Sequence, residues 1–126
     1  MLSQFSVKPT LPSTDLQRSK DFYVNRLGLK LVRETEGDLM LEAGEGTHLY
    51  LYKRGPSKAD HTLAEFKVPD VEKLVNEMTS KGIKFEQYDI PGFLKTNEKG
   101  IADMGGEKGA WFKDPDGNIL AISQMG

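Results

Sequence analysis

The chain has 126 residues, of which 37% are hydrophobic, and this is enough for one domain, 1–126, with an apolar core. Its formal net charge is −2 and its longest block of Lys and Arg is the pair Lys53-Arg54, so neither nucleic acid nor a membrane surface is expected as a partner. The chain has no cysteine, which excludes disulfides, zinc–thiolate sites and thiol catalysis.

The first half of the chain predicts one strand, one helix and three more strands. Residues 5–11 alternate between apolar and polar side chains, and Pro9, which lacks an N–H, favours a sheet edge or a bulge for this strand. Asp15 is a helix-capping residue and Gly28 ends the helical spacing, which predicts a helix over 15–27. The apolar face of the first strand comprises Phe5, Val7, Pro9 and Leu11, and further strands are predicted at 29–34, 39–42 and 47–53.

The same order of elements begins again after a linker at 54–60. A strand at 62–68, a capped helix that ends before Gly82, and a strand at 83–88 precede a final hairpin. Gly28 and Gly82 are 54 residues apart, and the two capping residues, Asp15 and Asp70, are 55 apart. We therefore predict two copies of one βαβββ module, at 5–53 and 61–124.

The final hairpin has the clearest local signal. Asp114-Pro115-Asp116-Gly117-Asn118 combines a preset φ at Pro115 with a residue that adopts positive φ at Gly117. The spacing of its acidic residues resembles part of a calcium loop, but no closing Glu follows, so turn formation is the favoured interpretation. One face should carry Ala110, Phe112, Leu120 and Ile122, and the other Trp111, Lys113, Ile119, Ala121 and Ser123.

A Gly-rich segment at 91–108 interrupts the second module. Connections of this length in compact domains are typically functional loops or mobile segments. The segment is therefore either a lid over a site or a plain mobile loop, and both interpretations stay open.

Paired βαβββ halves that end in Trp111-Phe112-Lys113-Asp114-Pro115-Asp116-Gly117-Asn118-Ile119-Leu120 resemble the vicinal oxygen chelate superfamily, which includes glyoxalase I, extradiol dioxygenases and the bleomycin and fosfomycin resistance proteins. The likeness covers nearly the whole chain, and its last half is most similar to small bacterial glyoxalase-like proteins. It implies an α+β fold in which two modules form a cup-shaped mixed sheet with the helices outside. It also implies a homodimer, but not one reaction, because this fold hosts isomerases, epimerases, dioxygenases, transferases and binding proteins.

The metal-dependent members hold a divalent ion through His, Glu or Gln from four strands. By resemblance these positions fall on Lys8, Tyr50 with His48 beside it, Leu63 and Ala121. Lysine, leucine and alanine side chains do not ligate such an ion at neutral pH. We therefore expect no cofactor and no metal ligands, although an atypical divalent metal stays open.

Strand alternation places a mixed set of side chains on the cup face. The expected ligand-binding residues among them are Lys8, Tyr50, Tyr52, Glu65 and Trp111. Aromatic walls with a few ionisable groups are typical of a small-molecule site. The alternative is that these aromatic side chains pack against each other or against a dimer partner.

Glu65 and His48 are the candidate catalytic residues. Glu65 lies between Ala64 and Phe66 on a predicted strand, where an unpaired buried carboxylate would be unfavourable. It is therefore a general base or the partner of Lys8 or Lys67 in an ion pair. His48 is an acid or base or simply a polar strand residue, and His61 is a weaker candidate.

Three functions follow from these observations. The first is a protein that binds a small molecule in an aromatic cup without the usual metal. The second is a lyase, isomerase or dioxygenase-type enzyme that uses Glu65 or His48 on a small oxygenated substrate. The third is a dimeric structural module with a vestigial cup. Since residues 1–10 do not resemble an export signal, a cytoplasmic location is expected for each.

Overall fold

The computed structural model describes residues 1–125, which divide into two compact units, residues 1–57 and a second unit that begins at Lys58. Each unit contains one helical segment and one four-stranded mixed sheet. The protein is therefore of the α+β class, and two similar βαβββ units account for it. Among the described residues, no helix has the length and apolar character needed to cross a membrane.

The first unit follows the predicted order of elements. Strand β1 pairs in parallel with β4, and the sheet order is β1-β4-β3-β2. Its elements are β1 (Thr10–Ser13), α1 (Leu16–Lys20) continued by π-helical turns (Asp21–Arg26), β2 (Lys30–Glu34), β3 (Asp38–Glu42) and β4 (His48–Lys53), with short 3₁₀ turns at Leu2–Gln4 and Gly44–Gly46. A hydrogen bond of 2.6 Å between the buried hydroxyls of Ser13 and Ser19 joins β1 to α1.

The second unit repeats this topology, with the sheet order β5-β10-β9-β8 and β5 parallel to β10. Its elements are β5 (Thr62–Lys67), α2 (Val71–Ser80), β6 (Asp89–Ile90), β7 (Leu94–Lys95), β8 (Ile101–Asp103), β9 (Lys108–Lys113) and β10 (Ile119–Gln124). The side chain of Gln124 accepts a hydrogen bond of 2.7 Å from the N–H of Val71, which ties the start of α2 to β10.

Both helix starts are confirmed by matching caps. Asp15 and Asp70 have nearly identical backbone angles, with φ −148° and −149° and ψ 99° in both. Each carboxylate accepts hydrogen bonds from N–H groups of the first helical turn, which would otherwise have no acceptor within the helix. Gly28 and Gly82 follow the two helical segments with φ of +80° and +87°, as a helix-ending glycine does.

The apolar faces of both sheets lie where alternation predicts them. In the first unit Leu39, Leu41, Leu49 and Leu51 are buried, and in the second Ala110, Phe112, Leu120 and Ile122 are buried. The opposite face of the terminal hairpin is less exposed than expected, because Ile119 and Ala121 are buried as well.

The turn of the terminal hairpin is held by Asp114. Its Oδ1 accepts hydrogen bonds of 2.9 Å from the N–H groups of Asp116 and Asn118, and its Oδ2 accepts one of 2.8 Å from the Asn118 amide. Gly117 has φ +85°. These contacts confirm that the motif forms the turn.

The first predicted strand is wrong over most of its length. β1 begins at Thr10, opposite Tyr50, and Phe5 and Val7, predicted on the core face, are 68% and 96% exposed. The ladder ends at Pro9, whose carbonyl accepts a hydrogen bond of 3.1 Å from the N–H of Tyr50 but which has no N–H to donate. β1 is an edge strand, as Pro9 indicated.

The predicted strand at 83–88 is also wrong. Only Phe85 pairs with β9, as a single bridge to Phe112, because β8 occupies the same edge of β9 further along, opposite Ala110. The segment 91–108 contains β7, β8 and a turn that ends at Gly100. It therefore has regular structure of its own.

Candidate functional site

The face of the first sheet opposite α1 presents two parallel tyrosines. Tyr50 and Tyr52 are two residues apart on β4, so both point to this face, and their ring centroids are 6.0 Å apart with an interplanar angle of 15°. Both are half-buried. We call this surface the tyrosine face; it comprises Lys8, Asp38, Tyr50, Tyr52 and Arg54.

A cation lies over each ring. The Lys8 ammonium is 5.9 Å from the centroid of Tyr50, and the Arg54 guanidinium carbon is 5.7 Å from that of Tyr52. Both distances lie within the range of a cation–π contact. The structure thus brings three of the predicted ligand-binding residues together, namely Lys8, Tyr50 and Tyr52.

Asp38 holds Tyr50 in place from the neighbouring strand. The Tyr50 hydroxyl donates a hydrogen bond of 2.6 Å to Asp38 Oδ2, the Thr35 hydroxyl donates one of 2.8 Å to Oδ1, and Arg33 Nη2 is 3.5 Å from Oδ2. These donors hold the pKa of Asp38 below its usual value, first through Tyr50 and then through Thr35. The same hydrogen bond, with burial and the Asp38 charge, raises the pKa of Tyr50.

His48 lies on the same side of the first sheet, two residues before Tyr50 on β4. It is half-buried, and it stands opposite Glu42 in the β3–β4 ladder. His61 is exposed, and its Nδ1 is 3.5 Å from an Asp60 carboxylate oxygen. The two histidines are thus in different settings, since His48 is on a sheet face and His61 is in the linker region.

The second unit has an aromatic cluster around Trp111. A Cβ placed on Gly109 would lie 3.3 Å from the Trp111 ring and 3.4 Å from the Met104 methyl, so both groups cover this glycine. The Tyr88 ring meets Trp111 edge-on at 5.7 Å and 80°. Burial, followed by the nearby charge of Glu86, raises the pKa of Tyr88.

Glu65 lies in the same row of side chains as Trp111. Both residues stand opposite Ala121, on its two neighbouring strands. Glu65 is exposed, so its carboxylate does not carry the cost of burial. Within residues 1–125 it forms no ion pair with Lys67.

The metal-ligand set of the metal-dependent family members does not fit this chain. Lys8 lies over an aromatic ring, Leu63 is a half-buried aliphatic side chain and Ala121 is a buried methyl group. Across residues 1–125, no three His, Asp or Glu side chains are grouped closely enough to hold a metal ion. The residues at these positions offer a divalent ion too few lone pairs.

A cleft of about 350 Å³ lies beside the start of α1, and no tyrosine lines it. It is lined by Thr14, Asp15, Leu16, Gln17, Thr35, Glu36 and Lys53. It has no aromatic wall, whereas ligand sites are mostly apolar and aromatic. The tyrosine face is therefore the stronger candidate in this unit.

Three residues at these sites were missed by the sequence reasoning. Arg54 continues the alternation of Tyr50 and Tyr52 past the end of β4, so the same pattern could have found it. Asp38 alternates with the buried Leu39, which places it on the tyrosine side of β3. Tyr88 belongs to no strand, and no periodic signal indicates its contact with Trp111.

The comparisons with known proteins define the class to which this fold belongs. Residues 6–122 match the model of the Glyoxalase/Bleomycin resistance protein/Dioxygenase superfamily, so the chain belongs to that superfamily, as the resemblance implied. A comparison with curated protein sequences finds no match.

Solved structures share the fold over nearly their whole length. A glyoxalase family protein from Enterococcus faecalis is 23% identical, with 98% of this chain and 99% of that one covered and a TM-score of 0.73. A bleomycin resistance determinant encoded on transposon Tn5 is 25% identical, with 96% and 98% covered and a TM-score of 0.70. TnmS3, an antibiotic-binding protein from Streptomyces sp. CB03234, is 22% identical, with 97% and 98% covered and a TM-score of 0.66.

Proposed function

We propose that this protein binds a small molecule on the tyrosine face without the divalent metal used by other members of its superfamily. The observation that carries this proposal is the parallel pair of half-buried tyrosines, of which Tyr50 is held by Asp38. Two aromatic rings held in one orientation provide flat apolar area at low entropic cost on binding.

Two further findings support a binding protein over metal-assisted chemistry. The side chains at the family's ligand positions do not suit a divalent ion. Two of the structural neighbours are described as an antibiotic-binding protein and a bleomycin resistance determinant. Their identities to this chain, 22% and 25%, carry the shared fold and name no ligand for it, and their descriptions motivate the proposal.

The test is a panel of planar and sugar-like small molecules, including bleomycin, measured by thermal shift and by calorimetry. For any ligand that binds, we expect Tyr52→Leu to weaken binding about three- to tenfold, because one ring contact is lost. Tyr52→Phe keeps the ring and is the matched control, with little change expected.

The proposal fails if no ligand in the panel binds, or if Tyr52→Leu binds every ligand as well as the unmodified protein does. Trp111 is the single tryptophan of the chain. Its fluorescence therefore reports separately whether a ligand affects the aromatic cluster of the second unit.

A second candidate function, catalysis by Glu65, is favoured by the exposure of that carboxylate in one row with Trp111. A lyase or isomerase acting on a small oxygenated substrate would use it as a base. If such an activity is found, Glu65→Gln should lower kcat at least a hundredfold, since general bases contribute about that much. Retention of full activity in this variant would remove Glu65 from the mechanism.

A further inference from the structure

The positive and negative side chains of the tyrosine face differ in whether they have partners of opposite charge. Lys8 and Arg54 are both exposed, and neither forms an ion pair with a carboxylate within residues 1–125. Their recorded side-chain contacts are with the rings of Tyr50 and Tyr52. Two positive charges are therefore available beside a pair of parallel tyrosine rings.

Asp38, the acidic residue of this face that contacts Tyr50, is already engaged. Asp38 accepts from the hydroxyls of Tyr50 and Thr35 and lies 3.5 Å from Arg33. Glu42 stands opposite His48 on one side and Lys30 on the other. The positive charge of Lys8 and Arg54 is thus available to a ligand, while the negative charge of Asp38 is compensated within the sheet.

The two cations are held over the rings only weakly. An exposed cation–π contact is weaker than a hydrogen bond to a charged group. Both side chains have long flexible stems. A ligand anion would therefore draw either cation from its ring, and the vacated ring face would become available for stacking.

Building on the small-molecule binding proposed above, we propose that the tyrosine face selects a planar aromatic anion, an arene that carries a carboxylate or sulfonate. The arene stacks on the ring of Tyr50 or Tyr52 that the displaced cation leaves, and the anionic group is bound by that cation, Lys8 or Arg54. Selection by charge is then a property of these two cations and not of the rings.

Three ligands with the same ring and different charge test this inference: 2-naphthoate, 2-naphthalenemethanol and 2-naphthylmethylammonium. In calorimetry at low salt we expect 2-naphthoate to bind about tenfold more tightly than the alcohol, and the ammonium ligand to bind most weakly. Lys8→Met and Arg54→Met should each reduce the preference for naphthoate over the alcohol. Added salt should reduce it too.

Arg26→Met is the matched control within the first unit. Arg26 is an exposed residue of the helical segment and lies 3.9 Å from Asp21, so its loss should leave the preference unchanged. Lys8→Arg keeps the charge and should retain the preference, which separates loss of charge from loss of fold.

The inference is overturned if the three ligands bind equally, if none of them binds, or if neither Lys8→Met nor Arg54→Met alters the preference. These outcomes are distinct from failure of the proposed function. Binding of any panel molecule that depends on the Tyr52 ring would leave small-molecule binding in place without selection by charge.

Discussion

Asp38 is the residue that converts a pair of strand tyrosines into a defined surface. Tyr50 and Asp38 lie on neighbouring strands but are not directly opposite each other. Asp38 stands opposite Tyr52, and Tyr50 stands opposite Met40. Diagonal neighbours of this kind are within reach of long side chains. The 2.6 Å hydrogen bond that results fixes the position of the Tyr50 hydroxyl and so orients its ring.

We predict that Asp38→Asn lowers the pKa of Tyr50 towards its ordinary value of about 10. The Asp38 hydrogen bond is the largest cause of the raised pKa, and its charge adds to it. Titration of the tyrosine ring carbons by NMR measures this change, with Tyr50→Phe used to assign the signal. An unchanged Tyr50 pKa in Asp38→Asn would show that the hydrogen bond does not form in solution.

The same pair should make stability depend on pH at both ends of the range. The pKa of folded Asp38 is below its unfolded value, so its contribution is full above about pH 4 and is lost as pH falls through the folded pKa. The pKa of folded Tyr50 is raised, so its contribution is full below about pH 10 and is lost as pH rises through the folded pKa.

Urea unfolding at pH 3, 7 and 11 checks this prediction. The difference in the free energy of unfolding between the unmodified protein and Asp38→Asn should be largest at pH 7 and smaller at both extremes. A difference that is the same at the three pH values would contradict it.

At the scale of the secondary-structure elements, Gly100 controls the entry into β8. It has φ +86°, and a Cβ there would lie 2.8 Å from the Phe85 Cβ and 3.0 Å from the Glu86 carbonyl oxygen. Only glycine allows this close approach of the turn to the segment that crosses β9 at Phe85. In place of the predicted strand at 83–88, the chain forms a single bridge at Phe85. The close packing of this segment against the turn depends on Gly100.

We predict that Gly100→Ala lowers the free energy of unfolding by about 3 kcal/mol, from backbone strain together with the steric clash. Gly105→Ala is the control, because Gly105 has φ +74° but a Cβ there meets nothing within 4 Å. It should cost only the strain, about 1 kcal/mol. Urea unfolding measures both, and equal losses would show that Phe85 and Glu86 move aside at little cost.

At the scale of the whole molecule, we propose a homodimer, the assembly that the family resemblance implies. The first residues expose large apolar side chains, with Met1, Leu2, Phe5 and Val7 between 68% and 96% exposed. Association with a second copy would bury such exposed apolar side chains. Sedimentation velocity should give a mass twice that of the 14.1 kDa chain, and a single species at 14.1 kDa would contradict the dimer.

The features that depend on neighbouring residues could be predicted from the sequence. The caps at Asp15 and Asp70, the turn at Asp114 and the buried faces of the strands follow from short-range chemistry and the period of two. The tyrosines of β4 were placed on one face for the same reason. Boundaries were less certain, because alternation does not indicate where pairing starts: β1 begins only at Thr10, although its partner β4 already begins at His48.

The sequence by itself thus determined the fold class and the repeated module, and it supplied the candidate residues for a site. Only the tertiary structure decided that Asp38 contacts Tyr50 and that Tyr88 contacts Trp111. It also decided that the side chain of Glu65 is exposed. The physical reason is the distance along the chain over which each interaction acts. Caps and alternation act over a few residues, whereas these contacts join residues 12 or more positions apart and depend on strand register and packing.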